Sequence, residues 1–236
     1  MSIKYAELRF RPNGGGQWYP NTFREWLAKA TSEDPENQLP QELFWYQDGK
    51  NIESTTKVNF CGSKKYVGIN AHPEYAQMLY SHGWKIVRLL NKHFGGSHGV
   101  EMLDRELIAE LKEQGIDDYY VANLAIQTNL CDAQGITRAK QGDTDYVIDL
   151  LHKQISKSFL RQGAEIGLSQ INPMNIRFEK LAVDKTKNGM LFLVVKGVHF
   201  SLRHRLYGPW YAGVLTARGY GETKLKIGEK QGAKNA

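Results

Sequence analysis

The sequence predicts an α+β fold with two tandem ferredoxin-like (RRM-like) modules, a C-terminal glycine-rich loop and an extra helical segment. Three observations lead to this prediction. The 236 residues are enough for two modules of about 100 residues each. Apolar patterns in the first half follow the order strand, helix, strand, strand, helix. The order starts again in the second half, so we place the modules at residues 1–117 and 118–236.

The first module begins with a strand, because apolar and charged side chains alternate from Ala6 to Arg11. Asn21 or Thr22 is then predicted to cap a helix. The apolar side chains that recur at helical spacing in this helix are Phe23, Trp26, Leu27 and Ala30. The alternation leaves Arg11 on the polar face of the strand.

A hairpin is predicted next, with strands around residues 58–60 and 67–69. Pro73 suits the first turn of a second helix, and Gly95 suits its C-terminal end. The extra helical segment is predicted at residues 101–114, where apolar residues recur in an amphipathic pattern. This segment stands where a ferredoxin-like module has its fourth strand.

The second module repeats part of this order. Alternation over residues 120–126 predicts a strand, and residues 143–144 offer two caps for a long helix. A hairpin over residues 176–200 is predicted to turn at Asn188-Gly189, a pair that adopts the positive backbone angles of tight turns. Residues 224–227 are predicted to form a short closing strand.

Charge is distributed unevenly along the chain. Residues 1–118 contain 14 Lys and Arg against 16 Asp and Glu, a net charge of −2; residues 119–236 contain 17 against 9, a net charge of +8. Such asymmetry is typical of a protein that binds a polyanion, and nucleic acid is the leading candidate, although a solvated basic face would give the same count. The partner we expect is RNA.

Other features narrow the class of protein. No apolar run approaches the roughly 20 residues of a membrane span, and no signal segment opens the chain, so we expect a cytoplasmic protein. The two cysteines, Cys61 and Cys131, are far apart and predict neither a disulfide framework nor a zinc site. No cofactor and no metal are predicted.

The glycine loop, residues 208–221, is the most informative segment. Its glycines would allow backbone amides to approach phosphate closely, and its aromatic residues, Trp210, Tyr211 and Tyr220, could stack on bases. A loop that only caps a sheet edge is the alternative. The residues that we predict to bind RNA here are Arg203, Arg205, Gly208, Gly213, Gly219, Gly221 and Lys224.

A second basic feature lies on the long helix. Lys153, Lys157 and Arg161 follow one another at i, i+4 and i+8, so they share one face. A solvated helix face is the commoner explanation of such spacing. The spacing also suits a row of phosphates along duplex RNA, so we include the three residues among the predicted RNA contacts.

The glycine loop and the strand before it carry a family resemblance. Val195-Lys-Gly-Val-His-Phe200, Leu206-Tyr-Gly-Pro-Trp210 and Gly213-Val-Leu-Thr-Ala-Arg-Gly-Tyr-Gly221 resemble the end of the CRISPR-associated endoribonucleases of the RAMP superfamily. These enzymes cut repeat RNA into guide RNA, and the version in type IV systems looks most similar. The resemblance implies a CRISPR repeat hairpin as substrate and other effector subunits as partners.

The resemblance also implies a mechanism. Enzymes of this family cut without a metal: the RNA 2′-hydroxyl attacks the adjacent phosphate and leaves a 2′,3′-cyclic phosphate. Many relatives place a histidine near the first helix, but residues 1–71 contain none here. By its likeness to the type IV version, we expect arginines to act instead. The predicted catalytic residues are Arg11, Arg24 and Arg218, with Arg9 and Tyr19 in reserve.

Three alternatives are weighed against this reading. His199-Phe-Ser201 matches half of the paired H-x-S/T element of cyclic phosphodiesterases, but no second copy occurs, which argues against that class. A non-catalytic RAMP subunit that caps or anchors guide RNA is the main alternative function. A general RRM-like RNA-binding protein is the third.

Overall fold

The protein is described from a computed structural model. It describes residues 2–11, 19–44, 46–47, 50–51, 57–63, 66–95, 99–127, 133–185, 191–216 and 219–226. Two five-stranded antiparallel sheets, each with helices packed on one face, form most of it. Within these ranges, no helix combines the length and apolar character that membrane crossing requires.

The first sheet has the strand order β11-β6-β1-β5-β4, and a small β2-β3 pair lies apart from it. Two helices, α1 and α2, pack against the sheet. The elements of the first half are β1 (Ile3–Arg11), α1 (Pro20–Glu33), β2 (Tyr46–Gln47), β3 (Lys50–Asn51), β4 (Val58–Ser63), β5 (Tyr66–Ala71), α2 (Pro73–Phe94) and β6 (Gly99–Leu111).

The second sheet has the order β12-β7-β10-β8, and β9 also pairs with β10. The apolar side of α4 packs in the core beneath this sheet. Strand β11, which follows β10 in the chain, pairs with β6 of the first sheet. The elements are β7 (Asp117–Gln127), α3 (Ala133–Lys140), α4 (Thr144–Gly163), β8 (Met174–Arg177), β9 (Lys180–Lys185), β10 (Leu191–Leu202), β11 (His204–Tyr207) and β12 (Thr223–Leu225).

Strand β1 separates two environments because its side chains alternate between the faces of the sheet. Ala6, Leu8 and Phe10 are buried in the core beneath α1 and α2. Tyr5 is buried in the other core, against residues of the second sheet. Glu7 lies on the same face as Tyr5, so this charged face of β1 is turned toward the C-terminal half.

The extra helical segment predicted at residues 101–114 is wrong. Residues 101–111 belong to β6, which pairs with β1 over Gly99–Leu107 and with β11 over Ile108–Leu111. Most of its side chains are exposed or half-buried, so the two-residue apolar alternation of a buried strand is weak. Sheet pairing therefore overrides the helical preference of a sequence rich in Leu and Glu.

Smaller differences concern element ends. Helix α1 begins with Pro20, after Tyr19, so neither Asn21 nor Thr22 is the cap. Asp143 does cap α4, because its Oδ1 accepts a hydrogen bond of 3.1 Å from the Tyr146 amide. The predicted turn at Asn188-Gly189 lies outside the described residues.

The class of the fold is confirmed as mixed α and β with antiparallel sheets. The tandem ferredoxin-like assignment and the boundary at residues 117 and 118 stay predictions. Strand β11 adds a detail that the sequence did not indicate, since a segment of the second half completes the first sheet.

Candidate functional site

The glycine loop is pressed against its neighbours. Gly213 has a φ of 89°, and a Cβ atom there would lie 2.5 Å from the carbonyl oxygen of Ala125 in β7. Gly221 has a φ of 78°, and a Cβ atom there would lie 1.8 Å from the Ala212 carbonyl oxygen. Only glycine combines such angles with such close approach.

The amides of three loop glycines are already engaged within the protein. Gly213 N–H donates to Ser158 Oγ at 3.0 Å, and Gly219 N–H donates to the Thr216 carbonyl at 2.9 Å. Gly221 N–H donates to the Asn123 carbonyl at 2.8 Å. These bonds correct the expectation that the three amides are available to phosphate. RNA contact by other atoms of Gly208, Gly213, Gly219 and Gly221 stays a prediction.

Two of the loop aromatics are core residues. Trp210 is 1% exposed and Tyr211 is fully buried. Trp210 Nε1–H donates to the Tyr207 carbonyl at 2.8 Å, and the Tyr211 hydroxyl accepts from Asn70 Nδ2 at 2.7 Å. Burial raises the pKa of Tyr211 well above its ordinary value. The expectation that these two rings stack on bases is therefore wrong.

A cavity of about 460 Å³ lies where the glycine loop meets the start of α1. A Cβ atom on Gly219 would fall 2.3 Å from Pro20 Cβ, so loop and helix are in close contact. We call this space the helix-end cavity. Its lining residues are Tyr19, Pro20, Asn21, Thr22, Asn123, Ala182, Val183, Asp184, Val194, Lys196, Gly219 and Tyr220.

The helix-end cavity has features that suit an anion. The amides of the first turn of α1 carry the partial positive charge of a helix N-terminus, and Asn21 and Thr22 belong to that turn. Lys196 of β10 adds a full positive charge and Asp184 of β9 a negative one. The Tyr220 ring contacts Phe192 edge-on, with 6.1 Å between centroids. A polar, partly aromatic opening of this kind can accept a nucleotide.

The three predicted catalytic arginines occupy different positions. Arg24 lies one turn after Pro20 on α1, and its Nη2 donates to the Phe44 carbonyl at 2.8 Å. Arg11 ends β1 on the face opposite α1, where it forms an ion pair with Glu101. Arg218 lies outside the described residues. Arg24 thus lies on the helix whose start borders the helix-end cavity, but its side chain does not line that cavity, and Arg11 lies on the other face of the sheet.

The two reserve residues differ in surroundings. Tyr19 is 56% exposed and lines the helix-end cavity. Arg9 lies on the charged face of β1, where its Nε donates to Glu7 at 2.6 Å and its guanidinium covers the Tyr66 ring at 4.5 Å. Tyr19 is therefore the reserve candidate that adjoins the cavity.

The basic residues of α4 are exposed. Lys153 forms an ion pair of 2.7 Å with Asp149, also exposed and one turn earlier. Lys157 and Arg161 continue the same exposed side. Solvent screens such pairs, so Lys153 can exchange Asp149 for a phosphate at little cost. The arrangement is compatible with the predicted row of phosphate contacts.

The basic residues around the glycine loop are less uniform. Arg203 is exposed, whereas Arg205 Nε donates to Asp117 at 2.8 Å and Lys224 Nζ donates to the Gly62 carbonyl at 3.1 Å. Burial would raise the pKa of Asp117, but hydrogen bonds from Arg205 and Lys112 outweigh it and leave that pKa lowered. Arg205 is thus already paired with a carboxylate.

His199 and Ser201 line a separate cavity of about 340 Å³, together with Arg177 and Lys226. Burial lowers the pKa of His199, and the charges of Arg177 and Lys226 lower it further. The Ser201 hydroxyl donates to Asp118 at 2.6 Å. Within the described ranges, no three His, Cys, Asp or Glu side chains gather as they would around a metal ion.

Sequence reasoning missed a polar cavity of about 470 Å³ between the sheets. We call it the inter-sheet cavity. It is lined by Glu7, Arg9, Tyr66, Asn70, Arg105, Tyr119, Leu206, Tyr207, Gly208, Pro209, Trp210, Glu222, Thr223, Lys224 and Leu225. The charged residues between the apolar ones of β1 were a signal for it, but their partners come from strands far apart in sequence.

Comparison with known proteins identifies relatives. The family model described as type IV CRISPR-associated endonuclease Csf5 matches residues 3–227. A solved structure described as "Csf5, CRISPR-Cas type IV Cas6 crRNA endonuclease" is 22% identical, with a TM-score of 0.63, and the match covers 95% of this chain and all of that one. No curated protein matches significantly.

A second solved structure has a similar fold. It is described as "Crystal structure of Cas6b", is 13% identical and has a TM-score of 0.60, with 96% of this chain and all of that chain covered. At such identities, these similarities establish the fold, whereas the chemistry has to be argued from the residues of the site.

Proposed function

The chain belongs to the family of the type IV CRISPR-associated endonuclease Csf5, and on that basis we propose that it is a metal-independent endoribonuclease of CRISPR repeat RNA. It binds the repeat hairpin, cuts it to guide RNA and leaves a 2′,3′-cyclic phosphate. The product stays bound, so that the protein is a subunit of a type IV-like effector complex. The site of cutting is the helix-end cavity.

One observation carries this proposal most directly: the close contact between Gly219 and Pro20. It joins the glycine loop, which contains Arg218 in the sequence, to the helix that contains Arg24. Because residues four apart lie on the same side of a helix, Arg24 follows Pro20 along one side of α1. A scissile phosphate in the helix-end cavity would therefore be near both segments.

The chemistry needs an oriented 2′-hydroxyl and positive charge around the crowded phosphate. Arginine stays protonated at neutral pH and binds phosphate with a planar, bidentate group, so Arg24 and Arg218 suit the second requirement. The first-turn amides of α1 would add positive potential at the same point. Arg11 is proposed to contact the RNA strand after exchanging Glu101 for a phosphate.

Binding is assigned to residues outside the helix-end cavity. Lys153, Lys157 and Arg161 on α4, with Arg203, would contact hairpin phosphates. Arg205 and Lys224 would support them indirectly, since they fix Asp117 and the β4–β5 hairpin. We assign the same binding role to the surface of the glycine loop.

We also propose that the two sheets are two ferredoxin-like modules. The first has the strand order β6-β1-β5-β4 beneath two helices, and the second has the order β12-β7-β10-β8 beneath α4. Both orders support the assignment. Strand β7 begins at Asp117, so the proposed boundary between residues 117 and 118 lies at the start of the first strand of the second module.

The test is cleavage of a repeat RNA in EDTA. We expect one cut, a 2′,3′-cyclic phosphate detected by mass spectrometry, and no cut in an RNA with a 2′-deoxy nucleotide before the scissile phosphate. Binding of the deoxy RNA should be unchanged. Cutting that depends on added Mg²⁺, or a 3′-hydroxyl product, would disprove the mechanism. Tight hairpin binding without any cut would instead identify the non-catalytic RAMP subunit.

A further inference from the structure

The inter-sheet cavity contains an unusual set of buried polar groups. Its floor is the charged face of the first sheet, where Glu7 is 3% exposed and Asn70 is 3% exposed. Its far wall is Glu222 and Lys224, next to and within β12, and Tyr207 stands among the lining residues, 42% exposed. A volume of about 470 Å³ falls in the range of pockets that hold small organic ligands.

Each carboxylate in the cavity has cationic neighbours. Glu7 accepts a hydrogen bond of 2.6 Å from Arg9 and lies 3.4 Å from Arg105 Nε. Glu222 lies 3.4 Å from Lys224 Nζ, while burial raises its pKa. Three cations against two carboxylates leave the cavity positive. An RNA strand is therefore attracted to its mouth.

Asn70 is the group whose bonding is incomplete. Its Nδ2 donates to the Tyr211 hydroxyl at 2.7 Å, but its buried Oδ1 accepts no hydrogen bond from any described residue. A buried carbonyl without a donor costs about 1–3 kcal/mol, so a donor from water or from a bound molecule is expected to complete it. Oδ1 has almost no exposed surface, but Asn70 lines the inter-sheet cavity, so a turn of its amide toward the cavity would let a bound molecule supply the donor.

The neighbour of Asn70 narrows the chemistry of that molecule. Glu7 and Asn70 are direct partners across β1 and β5, so their side chains lie side by side on one face. A carboxylate oxygen and an amide oxygen next to each other are two acceptors, and a carboxylate has capacity beyond its two arginine bonds. Two adjacent acceptors match a single –NH₂ group, which has two hydrogens to donate.

We propose that the inter-sheet cavity binds one unpaired nucleobase with an exocyclic amino group, namely adenine, cytosine or guanine, from the RNA that the protein holds. This rests on the proposed function. The amino group donates to Asn70 Oδ1 and Glu7, ring acceptors meet Arg9 or Arg105, and Tyr207 stacks at the mouth. Uracil is rejected because it has no amino group and would turn a carbonyl toward the Glu7 carboxylate.

The test uses fluorescein-labelled ten-nucleotide RNAs of A, C and U, measured by anisotropy in EDTA at fixed salt. We expect A10 and C10 to bind about fivefold to tenfold more tightly than U10, the effect of one or two hydrogen bonds to a buried group. Asn70→Leu should bring the ratio close to one and leave U10 affinity unchanged. Asn91→Leu, on an exposed position of α2, is the matched control and should keep the preference.

Equal affinity of the parent protein for the three RNAs would overturn the proposal, as would a preference that survives Asn70→Leu. Should Asn70→Leu fail to fold, as judged by its thermal transition, Tyr207→Ala replaces it, because that side chain is exposed. The folded Tyr207→Ala variant should bind A10 at least about threefold more weakly. Unchanged A10 affinity in that variant would also overturn the proposal.

The base pocket and the proposed nuclease can fail separately. Repeat cleavage in EDTA together with equal affinity for A10 and U10 would disprove base binding in the inter-sheet cavity and support the proposed nuclease activity. A base preference that depends on Asn70, together with no repeat cleavage, would support base binding in the inter-sheet cavity and disprove the proposed nuclease activity.

Discussion

The two halves of the glycine loop differ in what they do for the molecule. In the first half, Trp210 and Tyr211 are buried, and Tyr211 reaches Asn70 of the first sheet. In the second half, Gly219 and Tyr220 border the helix-end cavity. The lesson is that a single family motif holds two kinds of constraint: one half keeps the fold together and the other adjoins the proposed chemistry.

The largest expected effect concerns the first half. Trp210→Ala should lower the free energy of unfolding by about 3–5 kcal/mol, because it removes a fully buried indole and leaves a cavity. Denaturant unfolding measures this. A loss of RNA affinity without a loss of stability would make Trp210 a binding residue and erase the difference between the halves.

Substitutions in the second half of the glycine loop, and in the helix that it contacts, should lower the cleavage rate more than the stability. Arg218→Ala and Arg24→Ala should each slow cleavage by about 10²–10³-fold, the effect of removing one group that stabilises a transition-state charge. Hairpin affinity should hardly change. Thermal stability should fall in Arg24→Ala only by the roughly 0.5–1.5 kcal/mol of its hydrogen bond to the Phe44 carbonyl. Single-turnover cleavage and a melting curve are the measurements. Arg88→Ala, an exposed arginine of α2, is the control and should cut like the parent.

Gly219→Ala is a smaller change at the point where loop and helix touch. The φ of 83° strains alanine by about 1–2 kcal/mol, and its Cβ would collide with Pro20. We expect a modest fall in melting temperature and a decrease in cleavage rate of at least about tenfold. If stability fell without any change in rate, the second half would be structural too.

The smallest effects are expected on α4. Lys157→Ala should weaken hairpin binding a few-fold and reduce the slope of log affinity against log salt by about one, as the loss of one phosphate contact does. Cleavage at saturating protein should be unchanged. Lys85→Ala on α2, away from the proposed hairpin surface, serves as the control. An unchanged salt slope in Lys157→Ala would show that α4 is only a solvated face.

Sequence patterns predicted the elements whose signal is local, and they did not predict features that depend on contacts between distant segments. The alternation in β1 predicted a strand with a charged face, because local period alone decides it. The segment Glu101–Leu111 was misjudged, since its exposed side chains have no buried face to reveal a strand.

In the candidate site, too, local spacing could be predicted from the sequence, whereas contacts between distant segments could not. The four-residue spacing of Pro20 and Arg24 can be derived from sequence, but the contact of Pro20 with Gly219 depends on folding. The pairing of Glu7 with Asn70 depends on the register between β1 and β5, which no short-range pattern contains. Burial of Trp210 and Tyr211 likewise follows from packing, so a loop rich in glycine and aromatics looked like a ligand surface.

Strand β10 runs almost directly into β11, with only Arg203 between them, and so passes from one sheet into the other. Two units tied by so short a link have little freedom to hinge, and they should unfold in one transition rather than two. The distance from the exposed basic side of α4 to the start of α1 is then fixed. Under the proposed function, an RNA stem bound to α4 would therefore be cut at a fixed number of nucleotides from the bound end.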